Sequence, residues 1–285
     1  MSESKLGSAK KFGNQSLSLG GHADTFAQDH LPPQELWPVI KTCGMAELEY
    51  PSHLNAAVEL LDRNVEAGAG ARPCLRTDDG VWTYQQLLEH ANRLANLLVS
   101  HGLQRGERVL LRDANTPMLA ACWFAVLKAG GIAVTTMPLL RAQELAAIAA
   151  KARIKYALCA SEHIAELNDA KRSPPMLEKI ICYENHSLTQ LPALLAGLPA
   201  AFTNADTAQD DVALIAFSSG TPGEPKATVH FHRDILAVCD TFSKHVLKPS
   251  ANDIFCGSPP LAFTFGLGGL LLFPLRAGAS TLLLP

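Results

Sequence analysis

The stretch "ALIAFSSGTPGEPKATVHFHRD", residues 213–234, runs from an apolar segment straight into a loop of small and hydroxyl-bearing residues. The apolar part shows no polar alternation, which is how a parallel strand covered on both faces reads. Ser218, Ser219, Gly220, Thr221, Gly223 and Lys226 follow it directly. In an open α/β sheet, ligands sit beyond the carboxyl ends of the strands. Small residues there let backbone N–H groups approach an anion, hydroxyls add donors, and one lysine supplies charge. The loop is therefore a candidate phosphate cradle. Two named alternatives fail on spacing. A Walker A loop needs glycine where Pro225 stands and Ser or Thr where Ala227 stands. Gly266 to Leu271 is not G-x-G-x-x-G, because Leu271 fills the last position. An ordinary surface loop is the bland reading, and the preceding strand and the lysine weigh against it.

Working outward, strand-like and helix-like segments alternate. Thr83 and Gln86 form a capping-box pattern ahead of Leu87, Ala91, Leu94, Ala95 and Leu98 at helical spacing, with Gly102 as the stop. Thr116-Pro117 reads as the N-cap and first turn of a second helix that ends at Gly130-Gly131. "RVLLRD", "IAVTT", "YALCA", "KIICY", "VALIAF", "DIFCG" and "STLLLP" read as strands. "RAQELAAIAAKA", "SEHIAEL", "LTQLPALLAG", "DILAVCDTFSKHVL" and "GLGGLLLFPLRAG" read as helices. The alternation predicts an α/β fold with a doubly wound, mostly parallel sheet. Residues 1–21 read as a disordered tail, 22–81 as a Pro-punctuated packing segment, and 82–285 as the main body.

Composition narrows the function classes. A net charge of −3 gives no basic footprint for nucleic acid. The 7 cysteines are scattered without a CxxC pair, so neither a zinc knuckle nor a dithiol redox motif is supported; Cys122 and Cys159 sit in apolar surroundings and read as core thiols. "MSESKLGSAKKFGNQSLSLGG" lacks the apolar core of a signal peptide, which makes cytoplasmic the expected location. Ile254 to Leu275 carries no charge and is long enough for a membrane helix, but Pro259, Pro260, Pro274 and its glycines break it up. No membrane partner is expected.

"SSGTPGEPKA" resembles the phosphate-binding signature of the adenylate-forming superfamily of acyl-CoA synthetases, luciferases and peptide-synthetase adenylation domains, written S-S/G-G-T-T-G-x-P-K-G. "WTYQQLLEHANRLANLLVSHGLQRGERVLL", "AVLKAGGIAVTTMPLL" and "PPLAFTFGLGG" match further family segments in order, so the likeness runs from about Trp82 to the end. "HADTFAQDHLPPQELWPVI" and "HFHRDILAVCDTFSKHVLKPSANDIFCGSPPLAFTFGLG" look most like benzoate-type and 2-aminobenzoate-CoA ligases. The resemblance implies the large N-terminal domain of an adenylate-forming enzyme, without the small C-terminal domain. It implies a two-step reaction: an aromatic acid attacks the α-phosphate of Mg2+·ATP, and coenzyme A then captures the acyl-adenylate. Ser218, Ser219, Gly220, Thr221, Gly223 and Lys226 would hold the β- and γ-phosphates, with Lys226 stabilising charge on the transferring phosphate. Phe263, Thr264, Phe265 and Gly266 would line the acid and pantetheine side of the pocket, though plain core packing competes for both phenylalanines.

The chain departs from the pattern at Pro222, where the family has a second Thr; proline removes an N–H and a hydroxyl. Ala227 for Gly is a smaller departure. The family's downstream segments, among them a ribose-binding aspartate and a C-terminal lysine, have no counterpart before Pro285, so this piece alone is expected to be inactive. A non-catalytic nucleotide-binding or interaction module with the same fold is the alternative. Other candidates are declined. His230 and His232 share a strand face but lack the ligand count zinc needs, so no metal site is expected. Asp210-Asp211 marks a turn. Arg105 to Arg112 reads as a solvated loop and strand start, and Ala142 to Ala152 as a core-facing helix.

Overall fold

The computed structural model describes residues 17–18, 20–37, 44–172, 177–184, 193–218 and 225–284. Among the described residues ten strands form two sheets: β1 (Pro73–Thr77), β2 (Gly80–Thr83), β3 (Arg108–Arg112), β4 (Ile132–Thr136), β5 (Tyr156–Ala160), β6 (Lys179–Tyr183), β7 (Val212–Ser218), β8 (Lys226–Phe231), β9 (Ile254–Gly257) and β10 (Ser280–Leu283). The larger sheet has the order β6-β5-β3-β4-β7-β8, with β8 antiparallel to β7 and the other pairs parallel. The smaller has the order β2-β1-β10-β9, again parallel except for the β1–β2 hairpin.

The helices explain why the parallel strands are apolar throughout. A single turn, α1 (Phe26–Asp29), lies in the N-terminal segment. α2 (Tyr84–Ser100) packs on β1 and β2, and α3 (Pro117–Lys128) packs on β3 and β4 and against α2. α3 is buried at every position. α4 (Ala142–Lys151) and α5 (Ile164–Ala170) cover the opposite face through Leu145, Ile148, Ala149 and Leu167. Alternate residues of β3 serve both layers: Val109 and Leu111 join the core around α3, and Leu110 joins the core under α4. Such a strand needs hydrophobic side chains at successive positions.

The local signals are where the sequence put them. Thr83 accepts from the Gln86 N–H at 3.2 Å, and the Gln86 side chain accepts from the Thr83 N–H at 2.8 Å. Thr116 caps α3 by accepting from the Leu119 N–H. Beyond β8, α6 (His232–Val238) continues in wider turns through Cys239–Leu247. The run that resembled a membrane segment divides instead: β9 takes its start, and α7 (Thr264–Leu267), a wider-turned stretch (Gly268–Leu272) and α8 (Phe273–Arg276) take the rest. Among the described residues no helix is long and apolar enough to cross a membrane. Cys122 and Cys159 are buried thiols.

Three expectations are revised. Arg105 to Arg112 is not simply a solvated stretch: Glu107, Arg108 and Arg112 are buried, the last two to 1% exposure. Arg108 donates to the Ala152 carbonyl and pairs with Asp24 at 2.6 Å, so the buried guanidinium has both a hydrogen-bond acceptor and a counter-charge. The end of the segment 1–21 is tied down where it is described, since the N–H groups of Ser18 and Gly20 donate to Asp210 and Asp211 at 2.7 and 2.8 Å. The helix expected over 188–197 shows only a turn, Ala193–Leu195, and residues 185–192 lie outside the described residues. Residues 54–61 and 73–82 share one continuous core with α2 and α3.

Candidate functional site

β3, β4, β5 and β7 run parallel, so Arg112, Thr136, Ala160 and Ser218 mark one edge of the larger sheet. The chain leaves β3 into α3 on one face, and leaves β4 and β5 into α4 and α5 on the other. Strand order reverses around β3, and that reversal is where a doubly wound sheet opens a ligand crevice.

The Ser/Gly loop rises from this edge. Ser218 ends β7 and is the register partner of Lys226, the first residue of β8, so an antiparallel pair closes the loop at its base. Lys226 is exposed. Ser219, Gly220, Thr221 and Gly223, with Pro222, lie outside the described residues.

The residues after β9 come to the same edge. Asn115, just past β3, donates through Nδ2 to the Pro259 carbonyl at 3.1 Å and accepts the Leu261 N–H at 2.8 Å. From that turn the chain enters α7. Phe263 is half-buried and its N–H donates to the Pro260 carbonyl. Thr264 is exposed, and Phe265 is 79% exposed, so core packing does not account for the Phe265 ring. Gly266 is buried hard against Pro260, where a Cβ would collide with the Pro260 carbonyl.

Two charged groups beside Asn115 organise the surrounding loops. The Arg112 guanidinium donates to the carbonyls of Met137, Pro138, Leu140 and His163 at 2.7–3.2 Å. Burial pulls its pKa below the usual arginine value. Asp113 accepts from the Ala114 N–H, the Thr116 hydroxyl and the Tyr183 hydroxyl. Burial, with the Asp113 carboxylate adding to it, holds the Tyr183 phenol well above its ordinary value. Asp113, Glu162 and His163 place one ligand atom each within 4.8 Å of one another, but Asp113 already serves three donors. His230 and His232 form no ligand pair. His230 sits by Thr228 at the end of β8, whereas His232 is wholly buried and its Nδ1 accepts the Ala56 N–H. A shallow cavity of about 530 Å³ lies at the opposite, amino-terminal edge, lined by Asp24, Phe26, Glu107, Arg108, Arg153 and Lys155.

Arg112, Asp113 and Asn115 were not singled out from sequence. Their one visible signal is polarity just after an apolar strand and before the Thr-Pro helix start, where switch-point residues fall.

Comparison with known proteins gives the family. A family model described as AMP-binding enzyme matches residues 61–285. Benzoate–CoA ligase of Thauera aromatica is 29% identical over 238 residues, covering 83% of this chain. The structure of the anthranilate CoA ligase AuaEII in complex with anthranoyl-AMP superposes with a TM-score of 0.78 at 29% identity, over 85% of this chain and 47% of that one. A benzoate CoA ligase from Burkholderia xenovorans LB400 gives 0.72 at 27% identity, over 81% and 45%. The chain spans about 45% of the length of the Thauera enzyme. With a doubly wound sheet, a Ser/Gly loop at its carboxyl edge and the family match over most of its length, the chain belongs to the AMP-binding enzymes.

Proposed function

We propose that the protein carrying this chain activates an aromatic carboxylic acid with ATP and passes the acyl group to coenzyme A. In the first step a carboxylate oxygen bonds to the α-phosphorus, and the bond to the bridging oxygen breaks, releasing pyrophosphate. In the second the thiol sulfur bonds to the acyl carbon, the acyl–phosphate bond breaks, and AMP leaves as the thiol gives up its proton. Both steps build charge on phosphate oxygens, which fixed donors and cations stabilise. Ser218, Ser219, Gly220, Thr221, Gly223 and Lys226 are the residues assigned to the β- and γ-phosphates, with Lys226 supplying the charge. Mg2+ would accompany ATP as part of the substrate. Phe263, Thr264, Phe265 and Gly266 are assigned to the acid side.

One observation carries the reading: Phe265 stands 79% exposed on a tightly held segment at the edge from which the Ser/Gly loop rises. An aromatic ring left in the open at the carboxyl edge of the sheet suits a flat aromatic substrate. The likeness to ligases named for benzoate and anthranilate supports benzoate or 2-aminobenzoate as the acid. The cytoplasm, where ATP and coenzyme A are at hand, is the compartment this reading assigns.

The test is acid-dependent ATP–pyrophosphate exchange by the full-length protein without coenzyme A, with benzoate, 2-aminobenzoate and acetate in parallel. Exchange with the aryl acids and not with acetate is the expected result. Folded protein that exchanges with none of them would favour the non-catalytic alternative, which Pro222 makes a physical possibility.

A further inference from the structure

We propose that Asn115 is a positioning residue for the acid pocket: from the end of β3 its carboxamide holds the Pro259–Leu261 turn and, through that turn, sets the placement of Phe265. The inference rests on the function proposed above for the Phe263–Gly266 segment and adds a residue that touches no substrate.

The argument starts from what the turn cannot do for itself. Pro259 and Pro260 have no N–H, so neither can donate a backbone hydrogen bond to a neighbouring strand. The only backbone donor among residues 259–261 is the Leu261 N–H, and it goes to Asn115 Oδ1 at 2.8 Å. The return bond runs from Asn115 Nδ2 to the Pro259 carbonyl at 3.1 Å. A carboxamide offers a donor and an acceptor side by side, and here it stands in for a missing peptide partner. Asn115 is 8% exposed and Leu261 3%, so water does not compete well for either bond.

The placement then passes along the chain. The Pro260 carbonyl accepts the Phe263 N–H at 3.1 Å, and the same group packs against Gly266 too closely to admit a Cβ. The Phe263 carbonyl accepts the Leu267 N–H at 2.8 Å, closing α7 around Phe265. Asn115 is itself held from both sides. Asp113 takes the Ala114 N–H and the Thr116 hydroxyl, and Thr116 caps α3. A rigid strand end in the larger sheet thereby fixes a proline turn leaving the smaller one.

The experiment pairs two readouts on Asn115→Ala and Asn115→Asp in the full-length protein. Asn96→Ala serves as control, since Asn96 also bonds backbone carbonyls, those of Pro199 and Ala201, away from this edge. Amide hydrogen exchange at Leu261, Phe263 and Leu267 should quicken by about tenfold in Asn115→Ala, the equivalent of one lost hydrogen bond. The KM for the aryl acid in pyrophosphate exchange should rise by about tenfold while the KM for ATP stays within about twofold. Asn115→Asp keeps the acceptor for Leu261 but turns a buried carboxylate toward the Pro259 carbonyl, so its acid KM should rise at least as far as in Asn115→Ala; if neither variant folds, Asn115→Ser, neutral and too short to bridge the turn, carries the test. Asn96→Ala should change neither readout. Unchanged protection at Leu261 would overturn the clamp. Faster exchange with the acid and ATP KM values rising in equal proportion would overturn the positioning role and leave a merely structural one. Wild-type protein that activates no aryl acid would sink the proposed function and the pocket role together, and the exchange rates would then judge the clamp alone.

Discussion

His232 is buried without a counter-charge, and its stability contribution therefore depends on pH. Its Nδ1 accepts the Ala56 N–H at 3.1 Å, and burial, with His22 as a second cause, pushes its pKa down to about 3. His22, itself buried beside Asp211, is shifted the same way. An unfolded histidine titrates near 6.5, so between about 3 and 6.5 the unfolded state binds the extra proton. Stability from His232 is complete above the upper value and is lost as pH falls through the window, by up to about 1.4 kcal/mol per unit. His232→Asn keeps an acceptor near Nδ1 and cannot titrate. Its unfolding free energy should fall less steeply than wild type between pH 6 and pH 4.5; parallel profiles would exclude His232 as a source of acid lability. Pro222 carries a second prediction at this scale, argued from sequence because it lies outside the described residues. Restoring threonine returns one N–H and one hydroxyl to the loop. Pro222→Thr should tighten ATP by the worth of one bond to a charged group, about 1.5–3 kcal/mol, read by titration calorimetry. Equal affinity in the two proteins would show that position 222 makes no phosphate contact.

At the scale of elements, Arg112 does for the loop after β4 what Asn115 does for the turn after β9. Four carbonyls from two loops converge on its guanidinium, whose rigid fork offers five donors. A lysine ammonium has three donors on one atom and cannot span Met137, Pro138, Leu140 and His163 together. Arg112→Lys should lower unfolding stability in urea by about 2–4 kcal/mol, since buried acceptors are left without partners. A loss below about 0.5 kcal/mol, the level of an ordinary surface change, would show that the loops hold without the fork. This is also where legibility in the sequence runs out. α2 and α3 announce themselves through Thr83, Gln86 and Thr116-Pro117, because caps are local chemistry between residues a turn apart. The Ser/Gly loop is readable for the same reason. Arg108 and Arg112 are not, because their partners Asp24, Ala152, Met137 and His163 are distant in sequence, and charge pattern alone resembles a wet loop. The β1–β2 hairpin turns at Asp78-Asp79, with Thr77 and Gly80 paired at its base, and acidic residues at a turn are a weak signal beside the capping box that follows.

At the scale of the whole molecule, the split into two sheets was hidden because it depends on long-range register. β1 pairs with β10, Leu75 against Thr281, and no local pattern links strands so far apart in sequence. The N-terminal strap is another such case. Composition marks residues 1–21 as polar and unpatterned, yet Ser18 and Gly20 reach Asp210 and Asp211 ahead of β7. Asp24 meets Arg108 at 2.6 Å, and the Phe26 ring lies against the guanidiniums of Arg108 and Arg153 at 4.9 and 4.4 Å. The strap thus neutralises buried charge at the amino-terminal edge while the carboxyl edge carries the Ser/Gly loop. Deleting residues 1–26 strips Arg108 of its carboxylate and both aspartates of N–H donors. Removing one partner of a buried pair costs about 3–5 kcal/mol, and in a domain of this size each kcal/mol lowers Tm by about 2–4 °C. Taking the lower end of that cost, because the Asp24 side chain is 22% exposed, the deletion should melt about 6–12 °C below the parent. Deleting residues 1–16 leaves these contacts, made by Ser18, Gly20, Asp24 and Phe26, in place. Asp24→Asn, which keeps the shape and drops the charge, should give an intermediate loss. If the longer deletion melted with the parent, the strap would be an ornament on a fold that neutralises Arg108, Asp210 and Asp211 by other means.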